Sequence, residues 1–201
     1  MNAEEYKNQL KKIEQMKKAS TEENWDLFQQ SMRSLLCLIN HEALITLLAV
    51  YVKQFIDEYL QINPQYKYEY SITILDNGQL TEATIENISV KFDGHKGEPG
   101  VNEFRKAVLK LHDLSSLEYC TTIYMDTLVS SIINLFLAVA GQNWGAEHPD
   151  LWYQWLRGTK KEDSLILAKY YNKDPKRIEK SRLLRNQLID YISEYLYKNQ
   201  S

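Results

Sequence analysis

Glycine and proline are scarce in this chain, which has seven Gly and four Pro among its 201 residues. An all-β sandwich needs turn residues about every 8–12 positions, so this scarcity argues against that class and favours long helices. Cysteine is scarcer still, with Cys37 and Cys120 only, which excludes a disulfide-rich scaffold. We expect two free thiols packed in apolar helices. A disulfide is the alternative if two core helices bring the cysteines together.

Long apolar runs are also lacking. The first 20 residues are polar, mixed in charge and without an apolar core, so they do not resemble a secretory signal. The most apolar stretches, residues 35–52 and 128–140, are interrupted by polar residues and are too short for a clean membrane span. We therefore expect a cytoplasmic protein with no membrane partner. Its length fits one domain over residues 1–201.

Catalytic and metal-binding motifs are missing as well. The four His do not form H-x-x-x-H or H-E-x-x-H, and the sequence has no C-x-x-C and no G-x-S-x-G. We predict no cofactor and no metal site, and we favour a non-enzyme while leaving that question open. Residues 94–100 hold three glycines before a predicted helix, a setting that suits phosphate binding. They match neither nucleotide-binding pattern, and Glu98 would repel an anion, so we interpret them as a connecting loop.

The chain does have clear helical periodicity. Apolar residues recur three and four positions apart through most of its length. The stretch from Leu117 to Ala140 is apolar nearly all round, which predicts a single helix that is the most buried element. The start and stop signals of the predicted helices are Ser20 with Glu23, Asn40, Asn63 with Pro64, Gly141, and Asp174 with Pro175.

Residues 66–92 follow a different period. Apolar and polar side chains alternate from Tyr68 to Ile74, and Asp76, Asn77 and Gly78 then supply the residues of a tight hairpin turn. A return strand is expected within residues 80–92. The predicted fold is therefore mainly α, or α+β by count: a compact bundle of about seven helices with one inserted antiparallel β-hairpin at about 66–92.

An aromatic segment follows the long apolar stretch, and it holds three of the four Trp. We interpret Trp144, His148, Trp152, Tyr153 and Trp155 as a partner-binding surface on a loop, because Trp and Tyr dominate recognition hot spots. The alternative is that these rings cover the end of the central helix as ordinary core, since large aromatic side chains are mostly buried.

Charge is segregated along the chain. Residues 157–201 contain eleven Lys and Arg against six Asp and Glu, a net charge of +5, so residues 1–156 carry −8. Lys173, Lys176, Arg177 and Lys180 cluster around the start of the last predicted helix, which indicates an anion or nucleic-acid patch. A solvated face, or a match to the acidic part of the same chain, is the alternative.

Arg105 and His112 are seven residues apart, which places them on nearly the same face of a helix. This Arg-x6-His pair resembles the motif of HEPN ribonucleases, which are small helical proteins. The resemblance implies that His112 does acid–base work on RNA while Arg105 stabilises charge. The run from Arg185 and Asn186 to Asp190 is also similar to that family, with Asp190 in the place of the His, which implies an inactive protein. The alternative for all of these residues is a solvated helix face.

Together these features predict a non-enzymatic, bacterial-type protein-interaction module in the cytoplasm. Its partner would be an unidentified protein, and at the level of class it would be an immunity-like or antitoxin-like inhibitor. The alternative is a HEPN-like protein that binds or cleaves RNA, in which case RNA is the partner.

Overall fold

A computed structural model describes residues 3–66, 88, 91–95, 97–114, 116–157 and 161–199. These residues form eight α-helices. The helices are α1 Ala3–Thr21, α2 Trp25–Leu36, α3 His41–Ile62, α4 Val101–Leu114, α5 Thr122–Glu147, α6 Pro149–Arg157, α7 Lys161–Lys173 and α8 Pro175–Lys198. Two short 3-10 turns, Pro64–Tyr66 and Asp93–His95, lie between α3 and α4.

The prediction of a mixed fold with a β-hairpin is wrong, because the described part of the chain is helical and contains no strand. At the end of the expected return strand, the backbone N–H of Phe92 donates to the Ile88 carbonyl at 3.1 Å, as in a helical turn. Both side chains are buried. Residues four positions apart, such as Ile88 and Phe92, lie on the same face of a helix and also on the same face of a strand. The alternation of apolar and polar residues therefore did not distinguish a strand from a helix. Residues 67–87 and 89–90 lie outside the described residues.

Helix α5 lies at the centre of the bundle, where it packs against α2, α3, α4 and α8. Ile132 and Leu135 are fully buried, which confirms a buried central helix. The Ser131 hydroxyl donates to the Ala107 carbonyl of α4 at 2.9 Å. By length and composition α5 is also apolar enough to cross a membrane, a criterion that core helices of soluble proteins meet too.

The bounds of α5 differ from the predicted ones. The helix begins at Thr122 because the side chain of Thr121 caps its first turn. It continues through Gly141, which was predicted to end it, as far as Glu147. Gly141 serves close packing instead: a Cβ on this residue would lie 3.2 Å from the Tyr171 hydroxyl oxygen, which is a tight contact.

Arg185 places a charged side chain in the core, with 1% of the residue exposed. Its guanidinium donates to the Ser20 carbonyl at 3.0 Å and to the Ser181 hydroxyl at 2.9 Å, and it forms an ion pair with Glu23. The guanidinium carbon also lies 4.8 Å from the centre of the Trp25 ring. These contacts fasten α8 to the turn between α1 and α2.

The predicted capping box of Ser20 and Glu23 is wrong, because both residues bind Arg185. Asn24 caps α2 instead, and its side chain accepts a backbone hydrogen bond of 3.1 Å. Glu23 has a φ of 56°, in the left-handed region that ends helices such as α1. Two other predicted caps are confirmed, at Asn40 and Asp174.

Cys37 and Cys120 are paired as a disulfide, with their Cα atoms 5.5 Å apart. Cys37 follows the last residue of α2, and Cys120 lies in the segment before α5. The pair therefore ties two connecting segments together, and both residues are half-buried. The prediction of two free thiols within apolar helices is wrong for this structure.

Replacing Leu135 by Ala should lower the free energy of unfolding by about 2–5 kcal/mol, because the change leaves a cavity in the core. Ile123→Ala in the same helix is the matched control. This side chain is 66% exposed, so its truncation should change stability by less than about 0.5 kcal/mol. Urea unfolding measures both variants. Equal effects at the two positions would contradict the central place of α5.

Reducing the disulfide should lower the free energy of unfolding by about 2–4 kcal/mol, because the bond restricts the unfolded chain. Cys37 and Cys120 are 83 residues apart in sequence, so the closed loop is long. The double variant Cys37→Ser with Cys120→Ser should behave like the reduced protein. Urea unfolding with and without dithiothreitol gives the difference, and thiol titration reports the redox state. A stability that does not respond to reductant would show that the bond is absent.

Candidate functional site

Four aromatic rings meet where α5, α6 and α7 come together. Trp144 lies in the last turns of α5 and is 3% exposed. Its ring centre is 6.2 Å from that of Trp155 and 5.2 Å from that of Tyr171, and the Trp152 and Trp155 centres are 5.6 Å apart. All of these contacts are edge-to-face, as in a packed core. The cluster therefore covers the carboxyl end of α5, and Trp144 is part of that cover.

Trp152 also fixes the loop that precedes α4. Its indole N–H donates to the Gly97 carbonyl at 3.1 Å. Gly100 has a φ of 75°, and a Cβ on this residue would lie 2.2 Å from the Ala138 carbonyl oxygen of α5. Only glycine can adopt this conformation at so short a distance. Gly100, one of the three glycines that suggested a phosphate-binding site, is thus required for packing against α5.

His148 joins the aromatic cluster to the start of α8. Its Nε2 lies 3.2 Å from Asp174 Oδ2, and its ring centre lies 5.3 Å from that of Trp144. Asp174 caps α8 and accepts a hydrogen bond from the Arg177 backbone N–H at 2.9 Å. Burial raises the pKa of Asp174, but the hydrogen bonds from Arg177 and His148 outweigh this effect and hold the pKa below its usual value.

The outer side of α6 and α7 carries four large apolar side chains among polar ones. Tyr153 is 52% exposed, Leu165 62%, Ile166 55% and Tyr170 62%, and we call these four residues the α6–α7 face. The two helices pack against each other. Of the aromatic residues predicted to bind a partner, Tyr153 lies on this face. Trp152 and Trp155 are half-buried beneath it.

Positive charge borders the α6–α7 face. The guanidinium of Arg157 lies 4.3 Å from the centre of the Tyr153 ring. Lys169 and Lys173 are exposed on α7, and no carboxylate in the described part of the chain pairs with either lysine or with Arg157. Glu162, at the first turn of α7, and Asp150, three residues before Tyr153 on α6, are also exposed and reduce the local charge. Among the exposed side chains that the structure describes here, the three cations still outnumber the two carboxylates.

The predicted anion patch around the start of α8 is largely occupied by contacts within the protein. Lys176 pairs with Glu147 at 2.9 Å, and Lys180 pairs with Glu58 at 2.7 Å. Arg177 donates to the Tyr171 carbonyl at 2.7 Å and lies 4.4 Å from the centre of that ring. Lys173 is the member of the patch with no such contact among the described residues. These pairings show how the basic segment matches the acidic part of the chain.

The residues that resemble the HEPN motif lie in two separate places. Arg105 forms an ion pair with Asp93 and is directed toward the turn before α4. His112 is exposed in the last turn of that helix. Arg185 is buried against the turn between α1 and α2, while Asp190 is exposed on α8. The two arginines thus hold the fold together, and the structure does not bring Arg105 into contact with His112.

No sequence pattern predicted one cluster of polar residues, which is centred on Glu98. The Glu98 carboxylate accepts hydrogen bonds from the hydroxyls of Tyr59 and Tyr66, and His95 Nδ1 lies 2.8 Å from its Oε1. These residues come from α3, from the turn after it and from the loop before α4. An imidazole held by a carboxylate can exchange protons. Because two phenols share the same carboxylate, the cluster also anchors the loop to α3.

The exposure of apolar residues on α7 was not predicted, although the sequence pattern indicates it. Leu165, Ile166 and Leu167 are consecutive, and successive residues of a helix are about 100° apart. Three such residues span about 200°, so they cannot all face one core. Leu167 is 6% exposed and faces inward, whereas Leu165 and Ile166 face outward.

The described residues contain no group of three or more His, Cys, Asp or Glu that could hold a metal ion. Comparison with known proteins gives no match: no family model, no curated protein and no solved structure matches the chain. Function is therefore inferred from the exposed and buried surfaces of the chain itself.

Asp174 should make the folded protein sensitive to acid. Because its pKa is lower in the folded than in the unfolded chain, its contribution to stability is present above the usual Asp pKa of about 4 and is lost as the pH falls through the lowered value. Asp174→Asn keeps a capping side chain but removes the charge. Urea unfolding between pH 7 and pH 2 should show a flatter pH dependence for the variant. Parallel curves would contradict the charge effect.

Proposed function

We propose that this protein is a non-enzymatic interaction module that binds a protein partner through the α6–α7 face. The observation that carries the proposal is the exposure of Tyr153, Leu165, Ile166 and Tyr170, each more than half accessible on two adjoining helices. Exposed apolar side chains that lie together are a mark of interaction surfaces, whereas isolated ones are common everywhere.

The chemistry of the face supports this function. Tyr153 and Tyr170 supply large rings that lose little conformational entropy on binding, and tyrosine is enriched among the residues that dominate interface energies. Ile166 and Tyr170 are four residues apart on α7, so they project side by side as in a helix that docks into a groove.

The packing beneath the face supports it as well. The Trp155 and Tyr171 rings, with centres 5.1 Å apart, join α6 to α7 on the buried side. The Trp152 indole fastens α6 to the loop before α4. A surface held in this way is ordered before binding, which reduces the entropic cost of association. An immunity-like or antitoxin-like inhibitor would use a rigid surface of this kind.

Site-specific photo-crosslinking in the native cell tests the proposal. A photoreactive amino acid in place of Tyr170 should trap one protein, because this side chain is 62% exposed on the face. The same amino acid in place of Tyr197, which is 70% exposed at the end of α8, is the control and should not trap that protein. Crosslinks that are equal at both positions, or absent at both, would contradict the proposal. Recovery of RNA in place of a protein would favour the HEPN-like alternative.

Charge substitution on the α6–α7 face tests the proposal by its effect on binding affinity. Ile166→Asp with Tyr170→Asp should weaken binding of the trapped protein at least about tenfold, since buried contacts are replaced by desolvated charges. The stability of the variant should change by less than about 1 kcal/mol, because both side chains are exposed in the free protein. Unchanged affinity in a folded variant would place the binding surface elsewhere.

A further inference from the structure

We infer that the partner of the α6–α7 face is a second copy of this chain, which docks with an acidic apolar surface at the other end of α5. This inference rests on the proposed function, and it adds the identity of the partner. It is carried by two exposed apolar surfaces of the same molecule whose bordering charges are opposite.

The second surface lies beside the Cys37–Cys120 pair. Leu38 is 44% exposed, Tyr119 39% and Ile123 66%, and we call these three residues the Tyr119 face. The disulfide holds the segment after α2 against the segment before α5, and Leu38 and Tyr119 are each next in sequence to one of its cysteines. The Tyr119 hydroxyl donates to the Ile39 carbonyl, which fixes the same two segments.

Negative charge borders the Tyr119 face. Glu118 precedes Tyr119 in the sequence, and Glu42 follows His41, whose ring centre lies 6.1 Å from that of Tyr119. Both carboxylates are exposed, and neither has a cationic partner in the part of the chain that the structure describes. Arg33 on α2 is already paired with Asp126 at 2.6 Å. The border is therefore acidic, in contrast to the basic border of the α6–α7 face.

The two surfaces lie at opposite ends of α5. The Tyr119 face is at its amino end, and α6 follows directly after its carboxyl end. Because an α-helix rises about 1.5 Å per residue, the ends of this 26-residue helix are about 39 Å apart. The two surfaces of one chain are thus too far apart to contact each other, and each remains accessible to another molecule.

Complementary surfaces at opposite ends produce head-to-tail association. A two-fold dimer in which the α6–α7 face met its own copy would set Arg157, Lys169 and Lys173 against like charges. Pairing with the Tyr119 face sets these cations against Glu42 and Glu118 and buries apolar side chains from both surfaces. We therefore expect association that grows with protein concentration and weakens with salt.

Light scattering with two blocked variants tests this arrangement. One variant carries Ile166→Asp with Tyr170→Asp, which blocks the α6–α7 face, and the other carries Leu38→Lys with Ile123→Lys, which blocks the Tyr119 face. The wild type should show a mass above that of the monomer that rises with concentration at low salt. Each variant alone should stay monomeric, because one surface of every pair is blocked. An equimolar mixture should form a 1:1 dimer and nothing larger, because the two intact surfaces can pair only once.

A matched control variant tests whether the loss of association is specific to the two faces. Val50→Asp with Leu109→Asp changes two exposed apolar residues, 56% and 50% accessible, that belong to neither face. This variant should associate like the wild type. Circular dichroism should give the same helix content for all of the variants, because every substituted side chain is exposed.

Three results would overturn the inference: a wild type that stays monomeric at low salt, a mixture of blocked variants that stays monomeric, or a blocked variant that associates by itself. The crosslinking experiment separates this failure from failure of the proposed function. A monomeric wild type that is trapped at position 170 by a different protein would overturn the second-copy partner alone. A monomeric wild type that traps no protein would overturn both.

Discussion

Helix α5 carries almost no charge along its length, and the other helices are arranged to cover it. Its charged residues, Asp126 and Glu147, lie near its two ends. The part between them is stable in water only if protein covers every side, because exposed apolar area costs free energy. Helices α2, α3, α4 and α8 provide that cover. The Ser131 hydroxyl donates to an α4 carbonyl, so burial does not leave it unpaired.

At the carboxyl end of α5, where Glu147 pairs with Lys176 of α8, α6 and α7 complete its cover. Trp144 is buried there by the rings of Trp152, Trp155 and Tyr171. This role uses only the inner side of the two helices. The outer side, with Leu165 and its neighbours, contributes little to the cover and is free to serve binding. Under the proposed function, folding and recognition would depend on opposite sides of the same pair of helices.

Arg185 adds a second constraint, because a buried charge restricts how α8 can pack. Any arrangement that left this guanidinium without partners would cost several kcal/mol. The observed arrangement supplies Ser20, Ser181 and Glu23. Ser20 and Glu23 have the spacing of a capping box, and local sequence gave no sign that they would bind a residue about 160 positions away. A tertiary contact therefore replaced the local hydrogen bonds, and Asn24 took over the cap.

The sequence alone determined the features that depend on near neighbours: the helix starts at Asn40 and Asp174 and the burial of the long apolar helix α5. The aromatic segment, predicted on a loop, is helical. Periodicity and capping act over a few residues, so they can be read along the chain. Tertiary structure decided which aromatic rings are buried, that Cys37 pairs with Cys120, and that Leu165 and Ile166 of α7 are exposed to water. Periodicity sets the angle between side chains, but whether a side is buried depends on helices that are distant in the sequence.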